Sequence, residues 1–270
     1  MKYLFVTIFY NRPEISKLYL LGLKRLQAIH EFDILICVSD AKSEQLCIDE
    51  GIKYFYYKNL PLGVKHNRLF EEALNIKFDY VIHSGDDNLM SNQLFEEFIK
   101  ETTLNLHHYI RPKGLYFYDT NTKRGLNFNP SNTFGAFRVF SRSLIENIGK
   151  TYAVTFRQNV NQFKEGCTYE VKKPLYEYLN KVGVISLKYE VFNIWDNDIN
   201  HGLDFSSETR IIEGGYKPFI VDLGEPHIID VKSEQNIWKF EKYLDASKEV
   251  SNRQIFKLIG VEEVSYLESL

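Results

Sequence analysis

Cysteine is scarce: Cys37, Cys47 and Cys167 are the three in 270 residues. An odd count without metal-type spacing excludes a disulfide scaffold and a thiolate zinc site, and leaves buried thiols in a reducing, cytoplasmic setting as the expectation. Long apolar runs are missing too. The stretch Met1 to Tyr10 holds one Lys, is too short for a bilayer span or the apolar core of a leader, and reads as a first β-strand. Basic charge is not in excess, since 33 Lys and Arg stand against 36 Asp and Glu for a formal net charge of -3. Stable nucleic-acid binding is therefore not expected. No G-x-G-x-x-G or G-x-x-x-x-G-K-[ST] follows a strand, which argues against a dinucleotide fold and a P-loop. Internal repeats and low-complexity segments are absent as well.

What is present is length enough to bury a large core, and a clear alternation over the first hundred residues. Apolar runs of strand length at Tyr3–Phe9, Asp33–Val38, Lys53–Tyr57 and Tyr80–His83 are separated by helix-period segments near Glu14–Ile29, Lys42–Glu50 and Val64–Leu74, with another at Asn92–Glu101. Strands and helices in this order with short connections predict a parallel sheet with right-handed crossovers, which binds ligands at the carboxyl ends of its strands. Four polar clusters follow these strands and are therefore brought to one edge: Thr7 to Pro13, Ser39-Asp40, Leu60 to Asn67, and Ser84 to Asn88.

The second half is less regular, and mixed strand pairing is expected there. It contains an apolar stretch at Tyr109–Tyr118, a loop rich in Gly, Asn and Pro from Thr120 to Asn132, a helix near Arg142–Ile148 and a strand at Val184–Phe192. A polar segment from Trp195 to Asp204 precedes a helix near Ser206–Glu213, which Gly214-Gly215 ends. From Asn236 the chain reads as mainly helical, with Trp238, Phe240, Tyr243 and Leu244 on one face. The expected organisation is a domain over 1–235, made of a nucleotide-binding half 1–104 and an acceptor-binding half 105–235, followed by a helical extension 236–270. That extension is the place for a peripheral membrane contact or a homodimer interface.

Asp86 and Asp87 directly follow a buried strand. Adjacent carboxylates in such a place need water or a cation, and a hard divalent metal carrying phosphates satisfies both. Capping of the helix that starts near Ser91 would need only one of them.

At this point the sequence resembles the GT-A glycosyltransferases, in particular the family 2 type. Thr7-Ile8-Phe9-Tyr10-Asn11-Arg12-Pro13-Glu14 is similar to that family's first strand and nucleotide-binding loop, and Cys37-Val38-Ser39-Asp40 to the strand that brings an acidic residue to the base. Gly63-Val64-Lys65-His66-Asn67 resembles the stretch in which an Arg-Asn pair opens the helix before the metal strand. That strand ends in Asp-x-Asp in the family; here Ser84 takes the first position and Asp86 the second, with Asp87 in support through water. Farther on, Asp204 to Lys217 is similar to the segment in which a catalytic Asp is followed by Arg and then by Gly-Tyr-Lys, with Leu203 where the family has Glu and Ser206 where a further acid is usual.

The resemblance implies an α/β fold of the GT-A, Rossmann-like type, with a mostly parallel central sheet flanked by helices. It also implies a metal-dependent inverting transfer of a sugar from a nucleotide-sugar donor, a UDP-sugar in the first instance, to the hydroxyl of a glycan or other acceptor. Thr7, Tyr10, Asn11, Arg12, Asp40, Lys65, Asn67 and Asp87 would hold the nucleotide, Asp86 would bind Mn2+ or Mg2+, and His227 would supply a further ligand. Asp204 would be the base that removes the acceptor proton, with Asp196 and Asp198 as rivals on the same loop. Gly135 would let backbone approach a sugar, Arg138 and Arg142 would meet phosphate, and His83 is expected to be structural. Two other readings stay open: a non-catalytic GT-A-like module that binds a sugar or nucleotide, and a nucleotidyltransferase.

Overall fold

The computed structural model describes residues 1–129, 134–200, 202–236 and 239–270. Asn132, His201 and Trp238, which belong to segments noted above, lie outside the described residues. The first part alternates as its hydrophobic pattern predicts: β1 (Tyr3–Phe9), α1 (Pro13–Gln27), β2 (Asp33–Val38), α2 (Ala41–Asp49), β3 (Tyr54–Tyr56), α3 (Leu62–Ala73) and β4 (Tyr80–His83). β1 is buried along nearly its whole length, as befits a central parallel strand covered on both faces. α1 opens with Pro13, whose fixed φ suits a first helical turn, and buries Ile15, Leu18, Tyr19, Leu23 and Leu26. Asp40 caps α2 through its side chain.

Next come β5 (Asn88–Met90), α4 (Asn92–Leu104), β6 (Tyr109–Pro112), β7 (Leu115–Asp119), β8 (Gly125–Phe128), β9 (Arg138–Ser141) and α5 (Arg142–Gly149). The apolar stretch Tyr109–Tyr118 is two strands, because Gly114 at φ +69° breaks it and sends β6 and β7 into different sheets. β10 (Lys150–Phe156), β11 (Thr168–Lys172), α6 (Lys173–Lys181) and β12 (Ile185–Phe192) then build an antiparallel sheet in the order β11-β10-β12, with Leu179 of α6 in its core. The chain ends with α7 (Leu203–Glu213), β13 (Phe219–Val221), β14 (Ile228–Lys232), a 3-10 helix at Phe240–Ala246, β15 (Lys248–Val250), α8 (Asn252–Phe256) and α9 (Val261–Ser269).

The fold is α/β with a central seven-stranded sheet in the order β13-β6-β9-β4-β1-β2-β3. All its neighbours pair in parallel except β9, which runs antiparallel to β4 and β6. A second sheet, β15-β8-β7-β14-β5, lies beside it and brings β14 alongside the Ser84–Asn88 turn. The C-terminal segment is helical as expected, and it also returns to the body of the chain. β15 pairs with β8, Tyr243 stacks on Phe117 at 4.1 Å, and Arg25 of α1 donates to Glu263 of α9 at 2.5 Å. Its apolar residues Phe240, Ile255 and Leu267 are buried against the rest of the protein. Among the described residues no helix is long and apolar enough to cross a membrane.

Candidate functional site

A cavity of about 830 Å3 opens at the carboxyl ends of β1 and β4. Its polar end is built around the turn that leaves β4. Arg12, just past β1, donates to Asp86 Oδ1 and, at 3.1 Å, to Asp87 Oδ2. Ser16 Oγ on α1 donates to the other Asp86 oxygen at 2.6 Å. Asp87 also accepts from Asn88 Nδ2 and from Asn236 Nδ2, each at 2.8 Å. Burial raises the Asp86 carboxyl above its ordinary range against the pull of Arg12, whereas for Asp87 the cations Arg12 and Lys232 outweigh burial and hold it below.

β14 supplies the rest of this end. Asp230 stands opposite Asn88 in the antiparallel register, and Val231 N donates to Asp87 O at 2.7 Å. Lys232 Nζ hydrogen-bonds Asp230 Oδ2 at 2.9 Å and lies over the rings of Phe117 and Tyr243 at 4.9 and 5.5 Å. Burial, opposed by Lys232 and reinforced by Asp87, pushes the Asp230 carboxyl up to about 6. The sequence reading missed Asp230, Lys232, Asn236 and Tyr243. An Asp and a Lys two apart within the apolar strand Ile-Ile-Asp-Val-Lys were the available sign that charges face inward there.

Asp86 and His227 are not brought together. Both Asp86 oxygens are engaged by Arg12 and Ser16, while His227 Nδ1 shares a 2.8 Å hydrogen bond with Ser91 Oγ and lines a separate cavity with Arg25 and Lys257. Among the described residues no group of three His, Cys, Asp or Glu side chains is arranged to hold a metal ion. Hard-cation chemistry fits a neighbouring set instead. Asn88 Oδ1 is a buried oxygen without a hydrogen-bond donor, the buried Asp230 carboxylate has Lys232 Nζ 2.9 Å from its oxygens, and Asp87 adjoins them. Three carboxylates, Asp86, Asp87 and Asp230, are ion-paired here with two cations, Arg12 and Lys232. Carboxylate and amide oxygens of this kind suit Mg2+ or Mn2+.

The other residues expected to bind nucleotide divide into two groups. Tyr10, Asn11, Arg12 and Asp87 line the cavity. Thr7, Asp40, Lys65 and Asn67 stand behind it and shape it. Thr7 Oγ1 donates to Ser84 O at 2.9 Å, tying β1 to the Asp86 turn. Asp40 Oδ2 accepts from Asn11 N at 2.8 Å, which secures the left-handed Asn11 at φ +54°. Burial works against the Asp40 carboxylate, but the bonds from Ser43, Asn11 and Lys42 hold it below its ordinary range. Lys65 is fully buried, donates to Asn59 Oδ1 at 3.1 Å and lies 5.7 Å from the Tyr10 ring centroid. Asn67 accepts from Ile194 N and Trp195 N at 2.8 and 2.9 Å, stapling that loop onto α3.

Of the three candidate bases, Asp204 lines the cavity and Asp196 and Asp198 do not. Asp196 accepts from Ser206 Oγ at 2.8 Å and from Arg210, bonds that lower its carboxyl and anchor the start of α7. Asp204 lies in the first turn of α7, after Gly202 at φ +67°, and Arg138 NH2 is 3.1 Å from its Oδ1. Arg138 is fully buried and donates to Ser207 Oγ at 2.7 Å, so it holds a carboxylate where phosphate contact was expected. Arg142 likewise donates to the backbone oxygens of Leu74 and Ile76, each at 2.8 Å. A Cβ at Gly135 would lie 2.5 Å from Asp204 Oδ1, so the close approach this glycine permits is to Asp204. His83 lines the cavity together with His66, its Nε2 3.0 Å from His66 Nδ1.

No protein-family model matches the chain, and no curated protein matches it. Solved structures similar in outline are glycosyltransferases of the GT-A type, with nucleotidyltransferase-like proteins beside them. S. aureus TarS (residues 1–349) aligns over 86% of this chain and 60% of its own, at 11% identity and a TM-score of 0.49. A mannosyltransferase from Pyrobaculum calidifontis, solved with GDP-Man and Mn2+, aligns over 87% of this chain and 58% of its own, at 11% identity and 0.49. The 4-diphosphocytidyl-2C-methyl-D-erythritol synthase of Anaerococcus prevotii aligns over 54% and 74%, at 14% identity and 0.37. This chain thus spans about three fifths of the first two. Likeness at this level carries no argument about substrate or reaction.

Proposed function

We propose that this protein is an inverting glycosyltransferase that moves a sugar from a nucleotide-sugar donor, a UDP-sugar in the first instance, to the hydroxyl of a glycan or similar acceptor. The observation that carries the reading is that one cavity joins two kinds of chemistry. At one end is the charged cluster of Arg12, Asp86, Asp87, Asp230 and Lys232, and at the other is Asp204, a carboxylate held in place from behind.

Tyr10 and Asn11 would contact the nucleoside, in a loop fixed by Asp40 and Lys65. Lys232 and Arg12, cations that line the cavity, would meet the diphosphate. Asp87, Asp230 and Asn88 would hold Mg2+ or Mn2+, whose chemistry when bound is to offset the charge that develops on the leaving diphosphate. Asp204 would accept the acceptor hydroxyl's proton while Arg138 fixes its carboxylate, so that the attacking oxygen meets the anomeric carbon from the face opposite the leaving group.

Incubation with Mn2+ and a panel of sugar nucleotides tests the reading through the product released. Free nucleoside diphosphate is expected, and Asp204→Asn should remove that release while nucleotide binding persists. Pyrophosphate release would mark a nucleotidyltransferase. Donor binding without turnover across a broad acceptor panel would mark a binding module.

A further inference from the structure

His66 on α3 and His83 at the end of β4 form an imidazole pair at the wall of the cavity, Nδ1 of the first 3.0 Å from Nε2 of the second. Both rings are more than nine-tenths buried and lie near the indole of Trp195, with ring centroids 5.3 and 5.5 Å away. Burial, with Lys65 and Arg138 nearby, pushes His66 down to about 3, and burial beside His66 and Arg138 puts His83 well below its usual range. Both rings are therefore neutral, and one hydrogen lies between them.

The position of that hydrogen follows from the far side of His83. Its Nδ1 is buried and has no hydrogen-bond partner. Were the shared hydrogen on His66 Nδ1, His83 would have to carry its own on Nδ1, leaving a buried N–H with no acceptor. A bare ring nitrogen there is the less costly arrangement. His83 Nε2 is then the donor and His66 Nδ1 the acceptor, so the hydrogen of His66 sits on Nε2, which no described protein group engages. The pair belongs to the Asp204 end of the cavity, because His83 stands opposite Arg138 in the β4–β9 register and Arg138 holds Asp204.

We infer that His66 Nε2–H is a fixed hydrogen-bond donor to an oxygen of the transferred sugar, kept in that tautomer by His83. The tautomer stands on the geometry alone; the sugar as its partner rests on the function proposed above. The two parts are tested separately. In protein carrying 15N-histidine, long-range proton–nitrogen correlations should show His66 protonated on Nε2 and bare at Nδ1; a hydrogen on His66 Nδ1 would overturn the inference. In calorimetry with UDP-GlcNAc or GDP-mannose, His66→Phe should weaken the sugar nucleotide roughly tenfold and leave the matching free diphosphate within about twofold, and His66→Gln should restore part of the difference. Equal weakening of sugar nucleotide and free diphosphate, or none of either, would remove the sugar contact. If wild type binds no sugar nucleotide at all, the proposed function fails together with that contact, and the tautomer is still decided by the nitrogen spectra.

Discussion

Asp204 Oδ1 lies 3.1 Å from Arg138 NH2, and the two ends of this ion pair differ in solvation: the Arg138 side chain is wholly buried, while that of Asp204 is 39% exposed. Removing the carboxylate strands the guanidinium in the interior, whereas removing the guanidinium leaves a carboxylate that water reaches. Asp204→Asn should therefore destabilise the fold by about 1–2 kcal/mol, a value kept small by the solvation of Asp204 and by Glu208 near the same cation. Urea unfolding measures this directly, and an unchanged midpoint would show that Arg138 does not depend on Asp204.

Gly135 gives a way to disturb Asp204 without altering its chemistry. A methyl group there would meet Asp204 Oδ1 at 2.5 Å, nearer than real contacts allow, and the carboxylate, on a helix's first turn, is the group that can yield. Gly135→Ala should thus lower turnover by roughly tenfold or more through misplacement of the proposed base, with nucleotide affinity nearly unchanged. A fall in affinity at constant turnover would place Gly135 in the donor contact instead.

The parallel half of the fold was legible in the sequence because each strand is a short apolar run and each helix carries one apolar face; β1, β2 and β4 have the bounds their patterns imply. The β10–β11–β12 sheet was legible only in part: β12 matches the strand read at Val184–Phe192, but β11 and the pairing of the three strands were not, since β11 and β12 face solvent along much of their length and lack an apolar face to mark it. The candidate site shows the same division. Tyr10, Asn11, Arg12, Asp86 and Asp87 follow strands directly and were found by position. Asp230, Lys232 and Asn236 arrive from more than 140 residues downstream, through the pairing of β14 with β5, and no local pattern announces that pairing. Gly135 against Asp204 is likewise a contact between distant segments, visible only once β9 and α7 are packed.

A metal held by Asp230 beside Asp87 would draw on a strand that the motif alone does not reach. Asp230→Asn should raise the Mn2+ concentration needed for half-maximal nucleoside diphosphate binding by about tenfold or more, because a ligand charge is lost while Lys232 remains. His227→Ala should leave that requirement unchanged, as His227 bonds Ser91 in a separate cavity. Calorimetric titrations of UDP at graded Mn2+ check both. A requirement that shifts with His227 and not with Asp230 would return the metal to the set implied by the sequence.

The buried imidazoles also fix how stability responds to acid. His66 and His83 have pKa values depressed on folding, His66 to about 3, so between the ordinary histidine value near 6.5 and that limit the unfolded chain binds protons that the folded protein refuses. Stability contributed by the pair is complete above about pH 6.5 and is lost as pH falls, at up to about 1.4 kcal/mol per pH unit for each ring. Carboxylates add their own acid dependence, so the informative quantity is the difference from a variant without the pair. Replacing both rings, in His66→Phe with His83→Phe, removes the two protonation sites while keeping aromatic surface beside Trp195. Urea midpoints followed from neutral pH down to about pH 4 should fall less steeply in the double variant than in wild type. Parallel profiles would mean that the rings accept protons as readily folded as unfolded, which requires water to reach His83 Nδ1.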